Sequence, residues 1–111
     1  MSDERARRVG HNEALFRQVN ERVEDLNATF STPSETFVVV CECGELSCVE
    51  QLYVPMPIYE RTRQNPTRFF VKPGHEAADM EHVVEGDDAY TVVEKEPAEA
   101  RQVAEETDPR S

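Results

Sequence analysis

The stretch TFVVVCECGELSCVEQLYV, residues 36–54, decides the fold of this chain. Thr36 to Val40 is β-branched and aromatic, which suits a buried strand, and it runs directly into three thiols. A second strand is expected near Val49 to Val54, where Val49, Gln51 and Tyr53 alternate with Glu50, Leu52 and Val54. The pair forms a predicted hairpin with Cys41, Cys43 and Cys48 at its tip.

Thiolates are soft ligands that zinc prefers, and Gly44 between them lets the backbone turn so that several sulfurs converge on one ion. A tetrahedral shell needs a fourth donor. His75 is the best placed, because the Pro73-Gly74-His75 turn closes a short strand and gives the imidazole a fixed base from which to reach another loop. His82 is the alternative and His11 a more distant one, while Glu42, Glu45 or water are further ways to complete the shell. The predicted site is therefore Cys41, Cys43, Cys48 and His75 around Zn(II). An iron–sulfur cluster asks for four thiolates where three exist. A redox switch lacks the C-x-x-C spacing, and a Cys41–Cys43 disulfide would close a strained small ring. Simple buried structural cysteines are the remaining alternative.

Upstream of the hairpin, Leu15, Phe16, Val19, Val23, Leu26 and Phe30 recur at spacings of three and four. They predict an amphipathic helix over about 12–28 that packs through this stripe, with Arg17, Glu21, Arg22, Glu24 and Asp25 facing outward. Residues 1–11 form a polar arm or an extension of that helix, and Ser31-Thr32-Pro33-Ser34 breaks it. Downstream, Pro57 suits the first turn of a short helix that Asn65-Pro66 stops. Arg68 to Val71 reads as a strand, and Glu81 to Glu85 pairs with Tyr90 to Glu94 across the Gly86-Asp87-Asp88 turn. Residues 97–111 are acidic, with few apolar side chains, and are expected to be a flexible tail with transient helix at most. The predicted class is α+β: an amino-terminal amphipathic helix on a small, mainly antiparallel sheet, forming one zinc-stapled domain over 12–96.

Composition agrees with a small core that needs a staple. Among 111 residues 38% are apolar, 7% aromatic and none Trp. The net charge of −11 argues against direct nucleic-acid binding, since phosphate affinity comes from Lys and Arg. No run approaches the roughly 20 apolar residues of a membrane span, and the first 30 residues lack the apolar centre of a secretory signal, so a cytoplasmic setting is expected. Three cysteines within eight positions make no disulfide framework and point to metal or redox chemistry in a reducing compartment. G-x-S-x-G, P-loop, H-E-x-x-H and Rossmann patterns are absent, and Glu76 beside His75 is the only suggestive general base, so enzymatic activity is not the expected reading.

The Asn12 to Arg22 helix, the Cys41-Glu42-Cys43 to Cys48 loop, Pro66-Thr67-Arg68-Phe69 and Pro73-Gly74-His75-Glu76 together resemble a group of short uncharacterised proteins of high-GC Gram-positive bacteria. The resemblance runs through most of the chain, including Glu105 to Arg110, and implies a bacterial, cytoplasmic, single-domain metal-binding protein. The expected function is a non-enzymatic zinc-binding module, regulatory in role, that docks onto another protein through the amino-terminal helix or the acidic tail. The alternatives are a thiol-based redox or metal sensor using Cys41, Cys43 and Cys48, and a small zinc-dependent hydrolase.

Overall fold

The computed structural model of the chain describes the backbone of residues 3–30, 36–43, 45, 47–48, 50–77 and 79–110, and within it all side chains except those of 3–8, 25–30 and 37. The predicted helix break at 31–34 lies outside the described residues. The elements are α1 (Asp3–Phe30), β1 (Thr36–Val40), β2 (Gln51–Pro55), α2 (Met56–Arg63), β3 (Arg68–Val71), β4 (Glu81–Gly86), β5 (Thr91–Lys95) and α3 (Ala98–Glu106). This is the α+β class the sequence predicts, with the helix running on through most of the polar arm.

Two small antiparallel sheets share the work of the one expected. β1 and β2 form the hairpin, with Val39 opposite Leu52 and Phe37 opposite Val54. β3, β5 and β4 form the second sheet in that order. Adjacent residues of a strand point to opposite faces, so Phe69 and Phe70 divide the interior between them. Phe70 joins Val39, Leu52, Val54, Tyr59, Tyr90 and Val92 on the hairpin side, stacked on Tyr59 at 5.4 Å and edge-on to Tyr90 at 6.1 Å. Phe69 joins Val71, Val93, Ala104, Cys41 and Cys43 on the other. Every side chain of β5 is buried, as expected of a central strand covered on both faces.

α1 lies in the opposite phase to the predicted one. Glu13, Ala14, Arg17 and Asn20 are buried, whereas Leu15 and Val19 are exposed. Of the remaining predicted stripe, Phe16 and Val23 are half-buried, and the side chains of Leu26 and Phe30 are outside the described set. Arg17, expected to face outward, donates to the Pro66 carbonyl at 2.5 Å and the Ala104 carbonyl at 2.8 Å, with its guanidinium 4.6 Å above the Phe69 ring. The small residues on this face explain the phase. A methyl group built on Gly10 would meet the Val103 side chain at 3.1 Å, so only the Gly10–Ala14 side lets α3 approach.

The second correction concerns residues 97–111. In the described part, 97–110, transient helix at most gives way to a formed one: α3 buries Ala100, Val103 and Ala104, one turn-spaced set, against α1. Beyond it Arg110 pairs with Glu21 at 2.8 Å and Glu60 at 2.7 Å. Acidity misled here, because Glu99, Glu105 and Glu106 occupy the solvent side of a helix whose apolar side is nearly all alanine.

Beneath α1, the Lys95 ammonium lies 2.5 Å from Glu13 and 2.6 Å from Glu81, all three buried. Burial pushes the Glu13 carboxyl up to about 8 against the opposing pull of Lys95, because one ammonium cannot neutralise two buried carboxylates. The folded chain therefore keeps a proton on Glu13 that the unfolded chain loses above its ordinary 4.5, and stability from this group falls as pH rises from there to about 8. Glu13→Gln should match the parent near the acid end of that window and gain on it steadily toward the alkaline end, as urea denaturation at a series of pH values will report.

Arg17→Ala should cost about 3 kcal/mol or more, from two charge-assisted hydrogen bonds and the packing on Phe69. The neighbouring exposed Gln18→Ala should change stability by no more than about 0.5 kcal/mol, measured by the same denaturation.

Candidate metal centre

The hairpin tip carries the site because its ladder continues past the strands. The Cys41 N–H donates to the Glu50 carbonyl at 3.0 Å, and the Cys48 N–H donates to the Glu45 carbonyl at 3.0 Å, closing a turn that brings Cys48 back toward Cys41. His75 arrives from the end of β3. Its N–H donates to the Lys72 carbonyl at 2.8 Å across Pro73 and Gly74, and Gly74 has φ +93°. Proline second and a left-handed glycine third are the requirements of a type II turn, so this four-residue sequence fixes where the imidazole starts.

Cys41, Cys43, Cys48 and His75 are brought together as the sequence predicts: their four donor atoms all lie within 4.8 Å of one another. Nδ1 of His75 is 3.7 Å from Sγ of Cys41 and 3.7 Å from Sγ of Cys48. A tetrahedral ion with metal–sulfur bonds near 2.3 Å and metal–nitrogen bonds near 2.1 Å sets its S···N edges at about 3.5 Å. The side chains could hold a metal ion with little movement.

The other candidates are elsewhere. His82 is exposed and pairs with Glu96 at 3.4 Å, and His11 is exposed on α1. Glu42, considered as a possible ligand, is fully buried and engaged in the opposite direction. One carboxylate oxygen accepts from the Phe70 N–H at 2.9 Å, the other from Asn20 Nδ2 at 2.6 Å and from the Arg63 guanidinium. Asn20 also brackets Val40, donating to its carbonyl at 2.9 Å and accepting from its N–H at 2.8 Å. Sequence reasoning missed this carboxylate, Asn20 and Arg63 as supports of the site. The available signal was a charged residue placed between two cysteines that are themselves buried.

Cys41 and Cys43 are buried and Cys48 half-buried. Burial pushes the Cys41 and Cys43 thiols up, and for Cys41 the Lys72 N–H, 3.2 Å from its sulfur, pulls the other way. Low-dielectric surroundings disfavour an isolated thiolate, so a cation among the three sulfurs is what makes their ionised form favourable there.

Comparison with protein-family models, with curated proteins and with solved structures finds no match for this chain. Among the described residues no helix is long and apolar enough to cross a membrane.

Glu42→Ala should weaken metal binding by about 10–100-fold, the usual cost of removing a residue that orients a ligand. It should also lower stability by about 3 kcal/mol, because buried Arg63 loses its closest counter-ion and keeps only Glu21 at 3.8 Å. Glu42→Gln, which retains the hydrogen-bonding shape, should weaken binding less. Competition with a chromophoric chelator measures the affinity of both.

Proposed function

We propose that this chain is a non-enzymatic zinc-binding module in which the ion is structural and the folded surface serves protein–protein interaction. The observation that carries the reading is the gathering of three sulfurs and one imidazole nitrogen within 4.8 Å at the tip of a hairpin. Three thiolates with a nitrogen are a donor set suited to Zn(II), and structural zinc in small domains contributes on the order of 10 kcal/mol to folding. That is comparable with the whole net stability of a domain of this size.

Four protein donors fill a tetrahedral shell, whereas hydrolytic zinc sites keep three and leave the fourth position to water. This places the hydrolase reading below the structural one. A thiol sensor is also less well supported, since burial holds Cys41 and Cys43 toward the unreactive thiol form when no ion is present. The module acts in the cytoplasm on a protein partner, and the net charge of −11 keeps nucleic acid off its surface.

Elemental analysis of the chain purified without added metal should find one zinc per molecule. Cys48→Ser and His75→Ala should each lose most of it, and strong chelation should melt the hairpin rather than leave a folded apo form. Zinc retained in full by His75→Ala would move the fourth ligand elsewhere, and metal-free wild-type protein that stays folded would sink the reading.

A further inference from the structure

An amine and two carboxyl groups are sealed together in the interior, away from the cysteines. Glu81 of β4 and Lys95 of β5 stand directly opposite each other in the ladder, so their side chains share a face. Nζ of Lys95 donates to Oε2 of Glu81 at 2.6 Å, and the Ala77 N–H donates to Oε1 of the same carboxyl at 2.8 Å. A backbone donor thus polarises one carboxyl oxygen and leaves the other against the amine. Glu13 reaches in from α1, its Oε1 2.5 Å from the same nitrogen. Among the described residues neither oxygen of Glu13 has a hydrogen-bond partner, so this contact lies off the hydrogen-bonding line and leaves the carboxyl uncommitted. All three residues are at most 3% exposed, and the Phe69 ring closes the site 5.6 Å from Nζ.

In water an amine and a carboxylate do not condense, because they rest as solvated ions and meet too seldom. Both obstacles shrink here. Burial opposes the charge on Lys95, while Glu13 and Glu81 hold it as the ammonium. One proton passed along the 2.6 Å bond turns Lys95 and Glu81 into a neutral amine and a carboxylic acid, an exchange that low-dielectric surroundings favour. Well-oriented groups held in contact react as if at an effective concentration on the order of 10⁵ M or more. Burial also keeps a proton on Glu13, so a general acid faces the reacting nitrogen.

We infer that Lys95 and Glu81 become joined by a side-chain amide inside the folded chain, with Glu13 as the proton carrier. After the first proton has moved from Nζ to Oε2, the Nζ lone pair attacks Cδ of Glu81. Glu13 then protonates Oε2, the Cδ–Oε2 bond breaks and water leaves. The new amide nitrogen returns a proton to Glu13, which ends as it began. Ammonium and carboxylate have become one amide and one water, with no oxidant, reductant or co-reactant. The bond bolts β4 to β5 beneath α1, removes two buried charges and is independent of any metal at the cysteines.

Mass spectrometry of the full-length chain, kept folded at neutral pH and then denatured, is the test. The wild type should be lighter than its sequence by one water. Trypsin should fail to cut after Lys95, giving a fragment 69–101 in place of 69–95, and cleavage before Asp87 should leave the two halves of that fragment joined. Lys95→Arg should keep its full mass. Glu13→Gln, which preserves the shape of the carrier but not its proton, should form the bond at least about 100-fold more slowly, with helical circular dichroism on the same sample to confirm the fold. A wild type of full mass that trypsin cuts at Lys95 overturns the inference and leaves a buried ion triplet. A missing water together with normal cutting at Lys95 places the dehydration at another residue and overturns it as well. Equal bond formation in Glu13→Gln overturns the assignment of Glu13. The wild-type result decides the bond itself, whatever the folding of the variants.

Discussion

The buried carboxylate of Glu42 is the contact on which the arrangement depends. It stands between two of the cysteines and takes hydrogen bonds from Asn20 of α1, Arg63 of α2 and the Phe70 N–H of β3, while its own N–H donates to the Phe70 carbonyl at 2.7 Å. In an extended segment residues two apart share a face. Pinning Glu42 to one side therefore delivers Cys41 and Cys43 together to the other. The C-x-C spacing can present a pair of ligands because the residue between them is locked.

A charge so deeply buried is stable only when its partner is present and the remaining polar atoms are satisfied. Arg63 meets the first condition, and it is itself held 4.9 Å from the Tyr59 ring and 5.2 Å from the Phe70 ring. Asn20 and the β3 backbone meet the second. The same strategy docks α1, whose inward face is made of Glu13, Arg17 and Asn20 rather than aliphatic side chains. Each of these finds a specific partner: Lys95, the carbonyls of Pro66 and Ala104, and Glu42 with Val40. Contacts of this kind add less net stability than an apolar stripe of equal area, but they tolerate only one rotation of the helix.

How far the sequence discloses this structure follows from the range of the interactions involved. The two hairpins, α2 and the His75 turn depend on neighbours within a few residues, and β-branched runs, Pro57, Pro73-Gly74 and Gly86-Asp87 announce them. The candidate ligand set is legible because few side chains can bind a soft cation and three of them are clustered. The phase of α1 is not legible from periodicity alone. A helix with one apolar and one ionic face carries the same period for both, and the choice between them is made by residues 20 to 90 positions away, such as Val40, Lys95 and Thr107. For α3 the signal was present in the spacing of Ala100, Val103 and Ala104, but alanines among glutamates read as solvent-exposed until Gly10 supplies the opposing surface.

The cysteine cluster and the seat of α1 are consequently one system. Cys41 and Cys43 pack with Phe69, Val71, Val93 and Ala104, so the sulfurs that would hold the ion are also part of the second core cluster. Ala104 lends its carbonyl to Arg17, and Asn20, one turn further along α1, grips both Val40 and Glu42 at the base of the cysteine loop. A cation gathering the thiolates would fix the loop further, while Asn20 with Arg17 fixes the rotation of α1. Leu15 and Val19 face outward because that rotation leaves them no other direction. The outward surface of this chain is thus set from the inside, by polar contacts that begin at the cysteine-bearing hairpin.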